Sequence, residues 1–249
     1  GIDNNCIGGI DENNALDFDG VDDYVQMGDF NLGTSDFTVE AWIRPTNNGG
    51  YIISNRTTEP SGPGNWWHLT NDNNHLVWEM GEAGTGSVSY TQGTKPVPLN
   101  QWSHVAVTRS GTTISLYVNG ELDVAFNDIA VRNLTSGNNI GVLGSWIGLG
   151  LQWYKGSMDE IRIWNVARNL AQIKKFRVAN VAAQPNLTGY YTFDQGDADS
   201  ENPEITILKD LKISANNGTL NNFALSSDVS GSNWTGGYAG TVYEDLDGD

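Results

Sequence analysis

The sequence predicts an all-β protein: a two-sheet antiparallel β-sandwich of the jelly-roll kind, with one short helix and a C-terminal extension. Three observations carry that prediction. Turn-forming residues are abundant and scattered, with 30 Gly and 28 Asn in 249 residues. They cluster between apolar segments, as in TNNGG at 46–50, NDNN at 71–74 and SGNN at 136–139. Both residue types tolerate positive φ and build turns, and a helical protein would not scatter so many breakers. Second, the segments between them alternate polar and apolar residues, the period of a half-buried strand. Third, Asn119-Gly120 separates two such segments, which is a strong hairpin signal.

Taken in order, the first strand covers ALDFD at 15–19. Asp17 and Asp19 share one parity and Phe18 has the other, so Phe18 is expected in the core. FTVEAWI at 37–43 and HVAVTR at 104–109 are the next clear strands. In TISLYV at 113–118, Ile114, Leu116 and Val118 share one face, and ELDVAF at 121–126 is the hairpin partner. MDEIRIWN at 158–165 is a further strand. A helix is expected over about 167–179, where Leu170, Ile173, Lys174 and Phe176 recur at helical spacing. Pro185 and the Asn around it end that region. The domain reading is a sandwich over 13–194, an extension over 195–240 that packs on it, and an acidic linker over 241–249.

Composition excludes several functions. The chain has 30 acidic residues against 13 Lys and Arg, a net charge of −17. Phosphate binding needs a basic footprint, so nucleic acid is not an expected partner. Anionic membrane surfaces are disfavoured for the same reason. Nine Trp, nine Tyr and seven Phe argue against a disordered acidic chain. Cys6 is the one cysteine, which excludes an internal disulfide and a Cys-based zinc site. No apolar run reaches the roughly 18 to 20 residues of a membrane span. The chain begins at Gly1 without a signal peptide and reads as an excised or processed piece.

Several phrases, in this order, carry a family resemblance. They are ALDFDGVDDYVQM at 15–27, FTVEAWIRP at 37–45, WSHVAVTRSGTTISLYVNG at 102–120 and GSMDEIRIWNVARNLAQI at 156–173. They resemble LamG-like jelly-roll domains of the concanavalin A-like lectin and glucanase superfamily. The version most similar is common in multidomain secreted and surface proteins of Bacteroidetes. That version also has a tail like LTGYYTFDQGDADSENP at 187–203, LKD at 208–210, NGTLNNFAL at 217–225 and SNW at 232–234. The resemblance covers roughly 13–236. It implies the sandwich fold and a secreted or cell-surface location. It is weak for function, because the superfamily holds lectins, adhesion domains, carbohydrate-binding modules and hydrolases.

Asp17, Asp19, Asp22 and Asp23 gather around Gly20. Acids on either side of a glycine can fold a tight turn that aims oxygens at one point, and Ca²⁺ takes six to eight hard oxygens. The resemblance implies a calcium held between this region and the Asp of the Met-Asp-Glu-Ile pattern. The expected ligands are therefore Asp19, Asp22 and Asp159. The plain alternative is that these acids cap the turn and solvate the surface. DLDGD at 245–249 also looks like the start of a calcium loop. It lacks the rest of the motif and reads better as a linker into a further domain.

Sugar-binding candidates are the aromatics that alternation does not place inside. Trp66 and Trp67 are adjacent, so they cannot both face one side of a strand. Trp146, Trp153 and Tyr154 lie in an unusually aromatic segment before the 158–165 strand. Trp66, Trp146 and Trp153 are the expected ligand contacts, since a sugar needs an apolar ring face beside fixed polar partners. Trp67 and Tyr154 fit core packing. Trp42, Trp102 and Trp164 sit in strand motifs and are expected in the core. Trp234 is expected to pin the C-terminal extension.

Catalysis is not expected. A glycosidase needs two carboxylates opposed across a cleft. The glucanases of this superfamily carry a Glu-x-Asp-x-Glu strand, and no such run occurs. His68, His75 and His104 are scattered, and there is no phosphate-binding loop or Gly-x-Ser-x-Gly elbow. The functional expectation is a non-catalytic, calcium-stabilised carbohydrate-binding or adhesion module of a larger protein. The alternatives are a spacer or protein-interaction domain without a sugar site and, further off, a glycoside hydrolase. Expected partners are a glycan or polysaccharide and neighbouring domains of the same chain. Five glycosylation sequons, at Asn55, Asn133, Asn186, Asn217 and Asn233, are expected to be unmodified in a bacterial protein.

Overall fold

The structure is a computed structural model. It describes residues 13–56, 65–82, 88–135, 141–146, 152–177, 181, 184–228 and 231–238. The acids at 245–249 lie outside the described residues.

Two antiparallel sheets of eight strands pack face to face. The first contains β1 (Asn14–Asp19), β3 (Phe37–Pro45), β8 (Ser103–Ser110), β9 (Thr113–Val118), β10 (Glu121–Asn127), β12 (Lys155–Trp164), β13 (Leu187–Tyr191) and β16 (Trp234–Gly236). Its order is β10-β9-β8-β3-β12-β1-β16, and β13 also pairs with β12. The second contains β2 (Tyr24–Met27), β4 (Gly49–Ser54), β5 (Trp66–Asp72), β6 (His75–Gly81), β7 (Val88–Pro96), β11 (Gly141–Leu143), β14 (Ile207–Leu208) and β15 (Gly218–Asn221). Its order is β14-β15-β2-β11-β4-β5-β6-β7. The predicted fold class is therefore the observed one. The C-terminal segment does more than lie on the sandwich. It supplies β16 to one sheet and β14 and β15 to the other.

Alternation explains what is inside. Phe18, Trp67, Trp78, Tyr154 and Trp234 are buried in one contiguous core. Trp67 and Trp78 stack at 5.4 Å. Asn119 and Gly120 take positive φ and close the β9–β10 hairpin as the sequence indicates. The helix α1 (Leu170–Phe176) is shorter than predicted. Asn169 caps it, and the Asn169 and Gln172 side chains bond each other's backbone N–H in a capping box. Ile173 seats the helix on Ala106 and Tyr117, on the outer face of the first sheet. Trp42 is buried on that same outer face. Its indole N–H donates to the Arg177 carbonyl at 2.7 Å, and Tyr238 stacks on its ring.

Candidate functional site

A cleft of about 190 Å³ opens where β4 and β5 meet the segment entering β12. Its wall includes Asn47, Gly50, Asn71, Asp72, Gln152 and Trp153. Strand pairing sets one side, with Gly49 opposite Asp72 and Gly50 opposite Asn71. Gly50 has φ of +127°, and a Cβ there would stand 2.5 Å from the Tyr154 Cα. Only glycine allows the two segments to come this close. The Tyr51 N–H donates to the Gln152 carbonyl at 3.1 Å and ties them. Tyr154 is fully buried, edge-on to Phe18 at 6.0 Å, and its hydroxyl donates to the Ser157 carbonyl. That anchor holds the preceding residue, Trp153, half-buried at the cleft, where its ring meets Tyr24 at 6.3 Å.

Two polar groups complete the wall. Asp72 is exposed, and one carboxylate oxygen accepts from the Asn73 side-chain amide. Asn71 is fully buried, and neither its amide oxygen nor its amide nitrogen has a hydrogen-bond partner among the described residues. Asn71 has the core-facing parity of Trp67 and Leu69 and pairs with Leu76, so its amide is closed to solvent rather than offered to the cleft.

The acidic turn between β1 and β2 brings Asp19 and Asp22 together with Asp23, their carboxylate oxygens lying within 4.8 Å of one another. Gly20 makes the turn with φ of +77°, tight against Lys155. Asp19 accepts the Val21 N–H at 2.7 Å and the Asp22 N–H at 3.3 Å. Asp23 is buried and accepts from the Asp19 N–H at 2.9 Å and the Ser232 hydroxyl at 3.0 Å. Burial pushes the Asp23 carboxyl up to about 7. Those two hydrogen bonds oppose the rise, and the charges of Asp19 and Asp22 add to it. Three convergent carboxylates, hard oxygen donors with lone pairs to spare, suit a divalent cation in type. Together they could hold one.

Asp159 is not part of this turn. Asp19 pairs with Lys155, and Asp159 stands four residues further along β12. At a strand rise of ~3.3 Å per residue that is about 13 Å. It is buried and accepts the Tyr238 N–H at 3.0 Å. Burial, with the charge of Glu160 beside it, pushes its carboxyl well up. The expected Asp19–Asp159 pairing is therefore corrected, because the antiparallel register separates the two residues along the strand.

Trp66 and Trp146 also need correction. They do lie outside the sandwich core, but their rings are only 3% and 6% exposed. The Arg56 guanidinium is stacked between them, 3.7 Å from one ring and 3.9 Å from the other. His68 stacks on Trp66 at 5.5 Å and bonds Glu79 at 2.9 Å. Alternation correctly puts Trp66 opposite Trp67, but a second layer of side chains covers it.

A family model described as the concanavalin A-like lectin/glucanases superfamily matches residues 19–174, more than half of the chain. The chain belongs to that superfamily. This superfamily member matches no curated protein significantly. Among solved structures it is similar to a candidate carbohydrate-binding protein from Bacteroides ovatus, with 23% identity and a TM-score of 0.65. That match covers 86% of this chain and 59% of the other, so the chain spans well under two thirds of that protein. A heptameric SAP-like pentraxin from Limulus polyphemus is 17% identical, with a TM-score of 0.50 over 67% of this chain and 82% of the pentraxin. CBM40 of a Ruminococcus gnavus IT-sialidase, solved with α2,3-sialyllactose, is 12% identical. Its TM-score is 0.51 over 65% of this chain and 95% of CBM40. At these identities the likeness establishes the fold.

Asn71 and Asp72 were not among the expected site residues, and Asp23 stood in the expected acidic cluster but not among its three chosen ligands. A signal existed for Asn71. It continues the inward parity of Trp67 and Leu69 on β5, which places an amide in line with the core. Reading NDNN only as a turn hid it.

Proposed function

We propose that this chain is a non-catalytic, calcium-stabilised carbohydrate-binding or adhesion module of a larger secreted or cell-surface protein. The observation that carries the reading is the cleft at Trp153. A half-buried indole stands in a concave wall beside an exposed carboxylate and the Gln152 side of the cleft. That is the pairing of apolar face and fixed polar groups that sugar recognition requires. The carbohydrate associations of the B. ovatus protein and of CBM40 support it. Asp72 is the one acid among the described cleft residues, whereas glycoside hydrolysis needs two. Among the described residues no helix is long and apolar enough to cross a membrane.

The calcium part rests on Asp19, Asp22 and Asp23. A bound cation there would neutralise the turn and hold β1 and β2 in place. An ion bound only by the folded state stabilises it, by about 2.7 kcal/mol at a hundred times its Kd, or about 5–10 °C in Tm for a chain of this size. Calcium is expected to raise Tm by that amount over EDTA, and Asp19→Asn to remove most of the rise. Equal Tm in calcium and EDTA would count against the cation.

A second reading, as a protein-interaction domain, has its own observation. Leu122 and Phe126 on the edge strand β10, with Ile129 and Val131 beyond it, are exposed apolar side chains. A glycan array probed with and without EDTA separates the two. Binding to any glycan class supports the lectin-type reading, and a blank array at adequate protein concentration favours the interaction domain.

A further inference from the structure

β10 is an edge of the first sheet, and its two halves are built differently. The first half is guarded. The strand bulges between Leu122 and Val124, and the Asp123 carboxylate accepts the N–H groups of Thr94 at 3.0 Å and Lys95 at 2.9 Å on β7. Lys95 also pairs with Glu121 at 2.6 Å. A bulge with charged side chains beside it is how a sheet edge avoids further pairing. The second half, residues 124–127, carries no charge and no proline, and its register with β9 is unbroken. Alternate residues of an antiparallel edge strand turn their N–H and C=O away from the sheet, so this half keeps an open ladder. The other edges differ. β16 and β14 are three and two residues long, and β7 gives two N–H groups to Asp123 and ends at Pro96.

A rigid apolar loop continues the open half. Asp128 and Arg132 are both buried and joined by contacts of 2.6 and 3.0 Å. The Asp128 N–H donates to the Thr112 carbonyl, and the Arg132 carbonyl accepts from Arg109. Between these fixed ends Ile129, Ala130 and Val131 are exposed. Ile129, at 88%, is the most exposed large apolar side chain among the described residues. Because the loop is already held, docking orders little that is not ordered beforehand.

Charge selects the occupant. At −17 each, two copies of the chain repel over most of their surfaces. From 124 to 131 the one charged residue is Asp128, and Arg132 neutralises it. Two copies can meet there without opposing unpaired like charges. An antiparallel pair of one strand with itself is two-fold symmetric, so it closes as a dimer. About eight residues a side, against the roughly 20–30 of a standard interface, make that dimer weak and concentration-dependent.

We propose that two copies of this chain pair β10 to β10, antiparallel over residues 124–127. The pairing joins the two first sheets and sets Ile129 of each copy near the other copy's β10 bulge, where Leu122 is exposed.

Analytical ultracentrifugation of the full chain in EDTA tests this, the chelator removing any cation that could bridge two acidic faces. The mass is expected to rise toward that of two chains, and to stop there, as concentration rises to about 1 mM, the weak end of specific association. Raising salt from roughly 20 to 300 mM screens the like charges and is expected to strengthen the pair. Ile129→Asp and Ala125→Lys, both at exposed positions, are each expected to weaken it about tenfold or more, since a charge on the edge opposes pairing. Ile207→Asp, also exposed but on β14, is expected to leave it unchanged. Melting curves check that each variant is folded, and either charged β10-side variant carries the test if the other is not. A single-chain mass at every concentration and salt would overturn the proposal. So would a pair that salt weakens, a mass that grows beyond two chains, or a dimer indifferent to both Ile129→Asp and Ala125→Lys. The glycan array tests the sugar reading separately, so either can fail alone.

Discussion

Glu40 is buried between β8 and β12, and three neighbours converge on its carboxylate. The Trp164 indole donates at 2.8 Å, His104 Nε2 lies at 3.5 Å and Arg162 at 4.0 Å. Burial raises the Glu40 carboxyl, but the hydrogen bond from His104 and the nearby cations outweigh it and hold the group below its usual range. His104 moves the other way for a histidine, since burial holds it below its ordinary value despite Glu40. The imidazole is therefore neutral near pH 7, and its contact with Glu40 is a hydrogen bond rather than an ion pair. The sign of the pH dependence follows. Below the ordinary histidine value of about 6.5 the unfolded chain binds a proton that the folded chain resists, so this contribution to stability falls as pH falls. His104→Gln has no such proton to bind. The stability difference between wild type and His104→Gln is expected to shrink from pH 7.5 to pH 5.5 in urea unfolding, and a difference that grows would refute neutral His104. Arg109 is a second residue with a defined role. Its guanidinium donates to the carbonyls of Ser35, Gly33 and Arg132, and burial lowers it to about 10, still charged at neutral pH. Arg109→Leu takes the guanidinium donor from the Ser35 and Arg132 carbonyls, while Gly33 keeps the Leu134 N–H at 2.9 Å, so at roughly 1–3 kcal/mol for each carbonyl left dry a loss of about 2 kcal/mol or more is expected in the same urea measurement.

At the scale of elements, what was legible in the sequence follows one rule. A feature set by a residue's own neighbours in the chain could be read, and one set by strand register could not. Phe18 and Trp67 declare their face by alternation, and Asn119-Gly120 declares its turn, whereas Trp164, expected in the core, is buried in a separate cluster with Leu187 and Tyr190. The acidic turn is local too, so Asp19 and Asp22 meet as their spacing suggests. Asp159 depends on which residue of β1 it faces. That register is fixed only by packing, and it puts Met158 opposite Leu16. Burial of Trp66 depends on Arg56 and Trp146, ten and eighty residues away in sequence. The helix start was legible in principle, because Asn169 with Gln172 three residues on is a capping-box pair. Apolar spacing alone had extended the helix past its cap. Asn169→Ala removes that cap and is expected to cost about 1 kcal/mol. In a chain of this size that is about 2–4 °C in Tm. Faster amide exchange is expected in α1, with little change in β4 and β5, and unchanged exchange in the helix would sink the capping argument.

For the whole molecule, the net charge of −17 has a local component in the turn at Asp19, while the rest is spread over a surface with few cations. The more consequential global feature is how the chain closes. β1 has β12 on one side and β16 on the other, and β2 lies between β11 and β15. The first two strands are therefore interior strands only because the last ones return to them. Leu208, Leu220, Leu225 and Trp234 all belong to the main core, and Gly196 packs so close to the Trp234 ring that a Cβ there would clash. Removing everything after residue 194 would expose those partners and turn β1 and β2 into bare edges. Burying a large apolar side chain is worth about 1.5–3 kcal/mol, so the four together contribute about 6–12 kcal/mol. That is comparable to the entire 5–15 kcal/mol stability of an ordinary domain. The fragment 13–194, which the strand motifs alone would suggest as a complete sandwich, is thus expected not to fold cooperatively. Near-UV circular dichroism and urea unfolding would show it, with tertiary signal lost and no sigmoidal transition. Trp234→Ala in the full chain gives the graded version, with an expected loss of about 3–5 kcal/mol. A fragment 13–194 that unfolds in one sharp transition at the midpoint of the full chain would mean that the closing strands are ornament, and that β1 and β2 hold their place without them.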